Sequence, residues 1–263
     1  MKDEMTTPVV RLGLLRGFSL RVGPESVPLI WSAQRLVAFL ALQDRPLRRS
    51  YVAEVLWPET TTVRANANLR SALWRTQRSC RRLIAASPQH LAIASGVAVD
   101  VLVAVVRAHR LLGETPTNGE DLGTDIRADL SADLLPEWYG DDDWVVVERE
   151  RYLQLRLHAL EAMCSRLAKD GRYGEAVEAG LAAVRAEPLR ESAHHALIRA
   201  HLAEGNRWEA VRQYERCRRL LLDDLGLEPS EALRDLLPAP SRQPVPAPRH
   251  GRGAGRVDVG SPA

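Results

Sequence analysis

The sequence predicts a mostly α-helical protein in two parts: an α+β unit of short strands and three helices, then an all-α region. Three observations lead there. Apolar residues between Val9 and Leu29 recur at short spacing, with Gly13, Gly17 and Gly23-Pro24 between them, as in short strands. Three stretches with helical periodicity follow before residue 83. From residue 143 onward the pattern stays helical and repeats itself.

Ser32 precedes the apolar run Leu36, Val37, Phe39, Leu40, Leu42 and is read as the N-cap of a first helix. Arg45-Pro46 ends it. A second, short helix runs from about Arg49 to Leu56 and stops at Trp57-Pro58. The third occupies 64–82. At 100° per residue, Asn68, Ser71, Arg75, Arg78 and Arg82 fall within roughly 40° of Arg64. Ala65, Leu69, Leu73, Thr76, Cys80, Leu83 and Ile84 fall on the other side. Pro88 stops the chain beyond this helix, and His90 to Ile93, Ala94-Ser95-Gly96 and Val97 to Val99 read as a terminal hairpin. Strands, three helices and a hairpin are the parts of a winged helix-turn-helix, whose third helix enters the DNA major groove while the wing leans on the backbone. The expected DNA contacts are Arg48, Arg49, Arg64, Asn68, Arg70, Ser71, Arg75, Arg78 and Arg82. Guanidinium pairs bidentately with phosphate or guanine, and Asn68 has the donor and acceptor for an adenine edge. The expected wing carries no arginine or lysine, only Gln89, His90 and Ser95 as polar groups.

Charge agrees with this division. Residues 1–100 hold 14 basic and 7 acidic side chains, whereas residues 141–238 hold 15 and 19. A polyanion partner is therefore expected for the first part only. Three widely separated cysteines, Cys80, Cys164 and Cys217, argue against a disulfide framework and for a reducing, cytoplasmic setting. The N-terminal MKDEMTTPVV lacks the apolar core of a signal peptide, and no apolar run is long enough to span a membrane. The two lysines among 36 basic residues reflect arginine-rich codon usage rather than chemistry.

A helix begins at Asp100. Gly113 to Asp129 then reads as a loop, with structure resuming at Leu130 to Tyr139. Beyond it, Gly171, Glu175, Ala176 and Val177 are matched 34 residues later by Gly205, Glu209, Ala210 and Val211, the tetratricopeptide spacing. Helices are expected at 143–169, 173–186, 190–203, 207–223 and 230–237, with Trp138, Trp144 and Trp208 anchoring them. Asp141, Asp142 and Asp143 are read as capping and dipole-compensating groups, and His194, His195 and His201 as packed or solvated rather than metal-binding. No catalytic residues and no cofactor are expected. The domains are 1–99, 100–238 and a disordered Pro-, Gly- and Arg-rich tail, 239–263.

In this order the chain resembles the Streptomyces antibiotic regulatory protein family, over about residues 9–238. The resemblance rests on LGLLRGFSL (12–20), YVAEVLWPE (51–59), NLRSALWRTQRSC (68–80), LLPEWYGDDDWVVVERERY (134–152), AEPLRESAHHALIRAHLAEGNRWEAVRQYERCRRLL (186–221) and LGLEPSEALRDL (225–236). Glu187 stands where the family usually has aspartate, and Thr76 and Gln77 where it has leucine and arginine. The resemblance implies a winged helix followed by a bacterial transcriptional activation domain. It also implies an activator that binds repeated promoter sites as two or more copies, recruits RNA polymerase and serves a secondary-metabolite pathway. No ATPase segment follows and no receiver domain precedes, so the small, ATP-independent and phosphorylation-independent form is expected. The other reading is a tetratricopeptide adaptor that holds proteins and does not bind DNA.

Overall fold

The chain was analysed as a computed structural model, which describes residues 9–113, 123–139 and 142–237. Strands β1 (Val10–Gly13), β2 (Ser19–Val22) and β3 (Glu25–Ser26) form an antiparallel meander. Helix α1 (Trp31–Gln43) follows, then the two-residue strand β4 (Leu47–Arg48), α2 (Arg49–Leu56) and α3 (Thr62–Ser79). Strands β5 (Ile84–Ala86), β6 (His90–Ile93) and β7 (Val97–Val99) complete the α+β unit. The mostly helical, winged-helix fold class expected from sequence is the one observed.

Four local expectations are corrected here. The N-cap of α1 is Ile30, not Ser32, and it makes no side-chain cap bond; the side chain of Gln34 instead donates to the Leu29 carbonyl at 2.7 Å. Helix α3 starts two residues before Arg64, where Thr61 accepts from the Arg64 amide, and ends at Ser79. Cys80 is already extended, so Leu83 and Ile84 belong to the next turn and strand rather than to the helix. The wing is the hairpin of β5 with β6, paired Ile84↔Ile93 through Ala86↔Leu91. Strand β7 leaves it and runs parallel to β1, with Leu12 opposite Val99. Two sheets result, β3-β2-β1-β7 and β4-β6-β5. The wing tip is thus Ser87-Pro88-Gln89, closed by the Ser87 hydroxyl accepting from the His90 amide at 2.9 Å.

Helix α4 (Asp100–Leu112) starts directly from β7. Asp100 fastens it to the first sheet, accepting from the backbone amides of Leu14 and Leu15 at 2.8 and 3.0 Å. Burial raises the Asp100 pKa, and those amide hydrogen bonds oppose the rise. The stretch read as a loop down to Asp129 contains α5 (Thr124–Leu130), whose two turns are too short for sequence periodicity to reveal. The long helix α6 (Asp143–Lys169) and α7 (Tyr173–Ala186), α8 (Glu191–Glu204), α9 (Arg207–Leu225) and α10 (Glu231–Arg234) follow. Gly171 and Gly205, the glycines of the 34-residue period, both end their helices at positive φ (76° and 87°), where a Cβ is disfavoured. Gly180 instead serves close packing. A Cβ there would lie 3.1 Å from Leu197 and 3.2 Å from the Cys164 sulfur, so its absence lets α6, α7 and α8 close on one another.

The core beneath α1 does not stop at residue 99. Leu12, Leu36, Phe39, Leu40 and Leu69 belong to the same buried cluster as Val101, Ala104, Leu134, Leu135, Trp138 and Val145. The segment after α5 threads along β1, with the Leu135 amide donating to the Leu14 carbonyl and the Arg16 amide to the Asp133 carbonyl, both at 2.9 Å. Arg149 on α6 donates to the carbonyls of Leu134, Leu135 and Trp138. Arg35 on α1 donates through Nε to Asp142 at 2.8 Å and through Nη2 to the Leu56 carbonyl at 2.9 Å. Asp142 therefore does not cap α6 through its side chain; it holds Arg35 and the indole N–H of Trp144, which donates at 3.1 Å. Asp141 and the tail from Pro238 lie outside the described residues. Trp138 and Trp144 are packed as expected, with rings 6.1 Å apart and edge-to-face. Trp208 is not: it is 72% exposed, because it lies on the outer side of α9.

His194 is buried between α8 and α9, donating from Nε2 to the Pro188 carbonyl at 2.9 Å and accepting at Nδ1 from Gln213 at 2.8 Å. Both contacts suit the neutral ring. The PLRE segment around it is structural: Arg190 pairs with Glu161 of α6 at 2.7 Å, and Glu191 accepts from the Ser230 amide at 2.8 Å. No group of His, Cys, Asp and Glu able to hold a metal occurs among the described residues. Burial pushes the thiols of Cys164 and Cys217 up to about 12 and about 11, so both stay protonated at neutral pH.

Two outcomes follow. Arg35→Ala, which leaves Asp142 shielded and unpaired, should lower stability by about 2–3 kcal/mol in urea unfolding; a change within experimental error would show that the clasp is dispensable. Burial, with the nearby Arg216 charge, holds the His194 pKa below its ordinary 6.5. Its contribution is therefore complete above that value and lost as pH falls below it. Thermal melts from pH 7 to 5 should fall less steeply in His194→Gln than in the wild type. His195, also lowered by burial and by Arg199, leaves part of the slope in place.

Candidate nucleic-acid interface

Helix α3 packs on α1 and α2 through Ala65, Leu69, Ala72, Leu73 and Thr76, all buried. Thr76 is fully buried, yet its hydroxyl donates to the Ala72 carbonyl at 2.9 Å. That bond satisfies the polar group where an aliphatic side chain would otherwise fit. Measured from Arg64 at about 100° per residue, the buried side centres at about 120°, so the outward pole lies at about 300°. Ala67, Trp74 and Arg78 lie within about 20° of that pole by the same geometry. Val63 and Ser71 follow at about 40°, Arg64 and Arg70 at about 60°, Arg75 at about 80° and Asn68 at about 100°.

The structure therefore gathers Arg64, Arg70, Ser71, Arg75 and Arg78 on one exposed surface. The basic stripe is turned by roughly 60° from the position directly opposite the core. Asn68 sits at its edge and is half-buried. Arg82 falls beyond the end of the helix, in the exposed turn leading to the wing. Arg48 is exposed on β4, opposite His90 of the wing strand β6. Arg49 is committed to bracing the wing: its Nη1 donates to the Ser87 carbonyl at 3.0 Å and its amide to the Gln89 carbonyl at 2.9 Å. Bracing the hairpin leaves Arg49 less free for a phosphate than its neighbour Arg48.

Arg48, Arg64, Arg70, Arg75, Arg78 and Arg82 make no ion pair and no side-chain hydrogen bond among the described residues. Elsewhere the protein pairs its arginines readily, as with Arg35–Asp142, Arg156–Asp133, Arg190–Glu161 and Arg218–Glu228. The result is a concentration of unpaired guanidinium groups around α3 and the turn that follows it. It supplies charge and fork geometry for phosphate oxygens and base edges. Arg81, exposed beside Arg82, adds to it and was not picked out from sequence. Its angle on a continued helix lay off the stripe, and only the end of α3 at Ser79 places it near the wing. Trp74 was also missed, because a tryptophan at helical spacing reads first as core. It is 59% exposed, and the Arg78 guanidinium lies 5.4 Å from its ring centre.

Because these arginines have no partners to lose, Arg64→Ala, Arg70→Ala and Arg75→Ala should each leave thermal stability within about 0.5 kcal/mol of the wild type. A loss above about 1 kcal/mol at any of them would mean that its side chain supports the fold.

Residues 127–239 match the family model of the bacterial transcriptional activator domain. A stretch of 114 residues, 41% of the chain, is 32% identical to the regulatory protein AfsR of Streptomyces coelicolor, and the match spans 12% of that relative's length. Among solved structures, Mycobacterium tuberculosis EmbR, determined in complex with a low affinity phosphopeptide, shares the fold. The TM-score is 0.58 at 22% identity, over 87% of this chain and 64% of EmbR. No helix among the described residues is long and apolar enough to cross a membrane.

Proposed function

We propose that this chain is a winged-helix regulator of the Streptomyces antibiotic regulatory protein family, with a bacterial transcriptional activator domain, and that it binds double-stranded promoter DNA in the cytoplasm through α3. The observation that carries the reading is the unpaired arginine surface around the outward pole of α3. Helix α3 enters the major groove, and Arg64, Arg70, Arg75 and Arg78 take phosphates or guanine edges. Arg48 and Arg82 lie beside the wing, within range of the flanking backbone. Asn68 and Ser71 are the uncharged polar groups of the same helix. Without lysine or arginine at its tip, the wing positions the helix more than it binds.

The helices after residue 100 are assigned to protein contacts, with RNA polymerase as the partner. Two or more copies bind repeated sites spaced by about one helical turn, which places neighbours on one face of the duplex. The regulated genes are those of a secondary-metabolite pathway. No step in this action uses a catalytic residue or a cofactor.

The purified chain should retard fragments upstream of genes adjacent to its own. With about six guanidinium–phosphate contacts, affinity should fall roughly 10³-fold between 50 and 200 mM salt. Arg75→Ala combined with Arg78→Ala should weaken binding at least about tenfold and reduce the salt slope by about two. Unchanged retardation in the double variant would remove α3 from the interface. Failure of the wild type to bind any such fragment would favour the adaptor reading.

A further inference from the structure

Apart from Arg78, the pole of α3 is apolar. Val63 is 81% exposed and Trp74 59% exposed, and with the half-buried Ala67 between them they form a ridge at helical spacing. Arginines border it on both sides, Arg70 on one and Arg64 and Arg75 on the other. Nothing within the fold requires this ridge. Among the described residues, Val63 and Trp74 lie outside the buried clusters and the residues packed against them. Arg78 lies against the Trp74 ring, a cation–π contact that restricts the guanidinium to one side of the indole.

A polyanion-binding surface with an apolar centre fits one feature of the major groove. Each A·T pair presents the thymine 5-methyl group there, an apolar group on an otherwise polar floor. We infer, on the premise of the DNA-binding function proposed above, that Val63 and Trp74 read thymine methyl groups, and that Trp74 also positions Arg78 for its contact. The eleven residue steps between them span about 16 Å along the helix, which corresponds to about five base-pair steps at 3.4 Å each. The site therefore contains two methyl-sensitive positions about four to five base pairs apart when α3 lies along the groove.

The test uses the full chain and a duplex selected from a random pool for tightest binding. Each thymine is replaced in turn by deoxyuridine, which keeps pairing and removes only the methyl. Two positions should each lose about fourfold in affinity, the effect of one buried carbon, at the stated spacing. Trp74→Ala should abolish the thymine preference at one of them and Val63→Ser at the other, with thermal melts unchanged. Trp74→Phe should retain the preference. If deoxyuridine is tolerated everywhere while binding persists and still depends on Arg75 and Arg78, the inference fails and the DNA-binding function stands. If no duplex is selected, that function itself fails. If Trp74→Ala changes the sedimentation of the DNA-free protein, the ridge is a protein contact and the inference is overturned.

Discussion

The arrangement depends on a single apolar core that crosses from the winged helix into the helices beyond it. Phe39 of α1 meets Trp144 of α6 edge-on with centroids 5.2 Å apart, and Trp31 meets Trp138 at 4.6 Å. Arg35 and Asp142 are both largely shielded beside this cluster. Their pairing adds direction to an attachment whose main driving force is burial of apolar surface. Arg35 also holds the Leu56 carbonyl at the end of α2, and α2 packs against α3. The position of α3 is thus fixed through α1 and α2 by contacts that reach Asp142 and Trp144 at the start of α6.

This connection gives the unpaired arginines their significance. On a mobile helix, exposed guanidinium groups amount to a solvated face. On α3, backed by the buried Leu69, Ala72 and Leu73, their backbone is held in place, so the proposed binding has only the side chains left to order. Their mutual repulsion is tolerated because the helix is held by apolar contacts rather than by charge. The acidic balance of residues 141–238 leaves the winged helix as the basic part of the chain.

Much of this was legible in the residues, and the remainder follows a physical pattern. Helices α2, α6 and α7 have the ends that periodicity and stop signals imply, because each carries a full apolar stripe between clear breaks. The 34-residue offset of Gly171 and Gly205 located the helix turns because a left-handed φ demands glycine. The wing was misplaced because β5 has only three residues, and Leu83 and Ile84 also fit a helical stripe. With β5 unread, local pattern offers β6 only β7 as a partner. Strand β7 in fact pairs with β1, Val99 opposite Leu12, a non-local pairing that no local pattern encodes. Asp142 looked like a cap because its partner Arg35 lies 107 positions away. Trp208 looked like an anchor by residue type alone. For the interface, arginine angles pointed to α3, but its outward pole depended on knowing that Ala72 is buried and that Cys80, Leu83 and Ile84 lie beyond the helix. That rotation brought Trp74 and Val63 into view.

On the proposed function, the outward pole of α3 lies in a DNA groove. Cys80, Cys164 and Cys217 are all buried, so a cysteine introduced at the exposed Ser71 can be labelled selectively with an iron chelate. With bound duplex, radical cleavage from that position should centre inside the protected site, in a pattern offset across the major groove. Cleavage confined to the edges of the site, or absent while the labelled protein remains bound, would contradict the account.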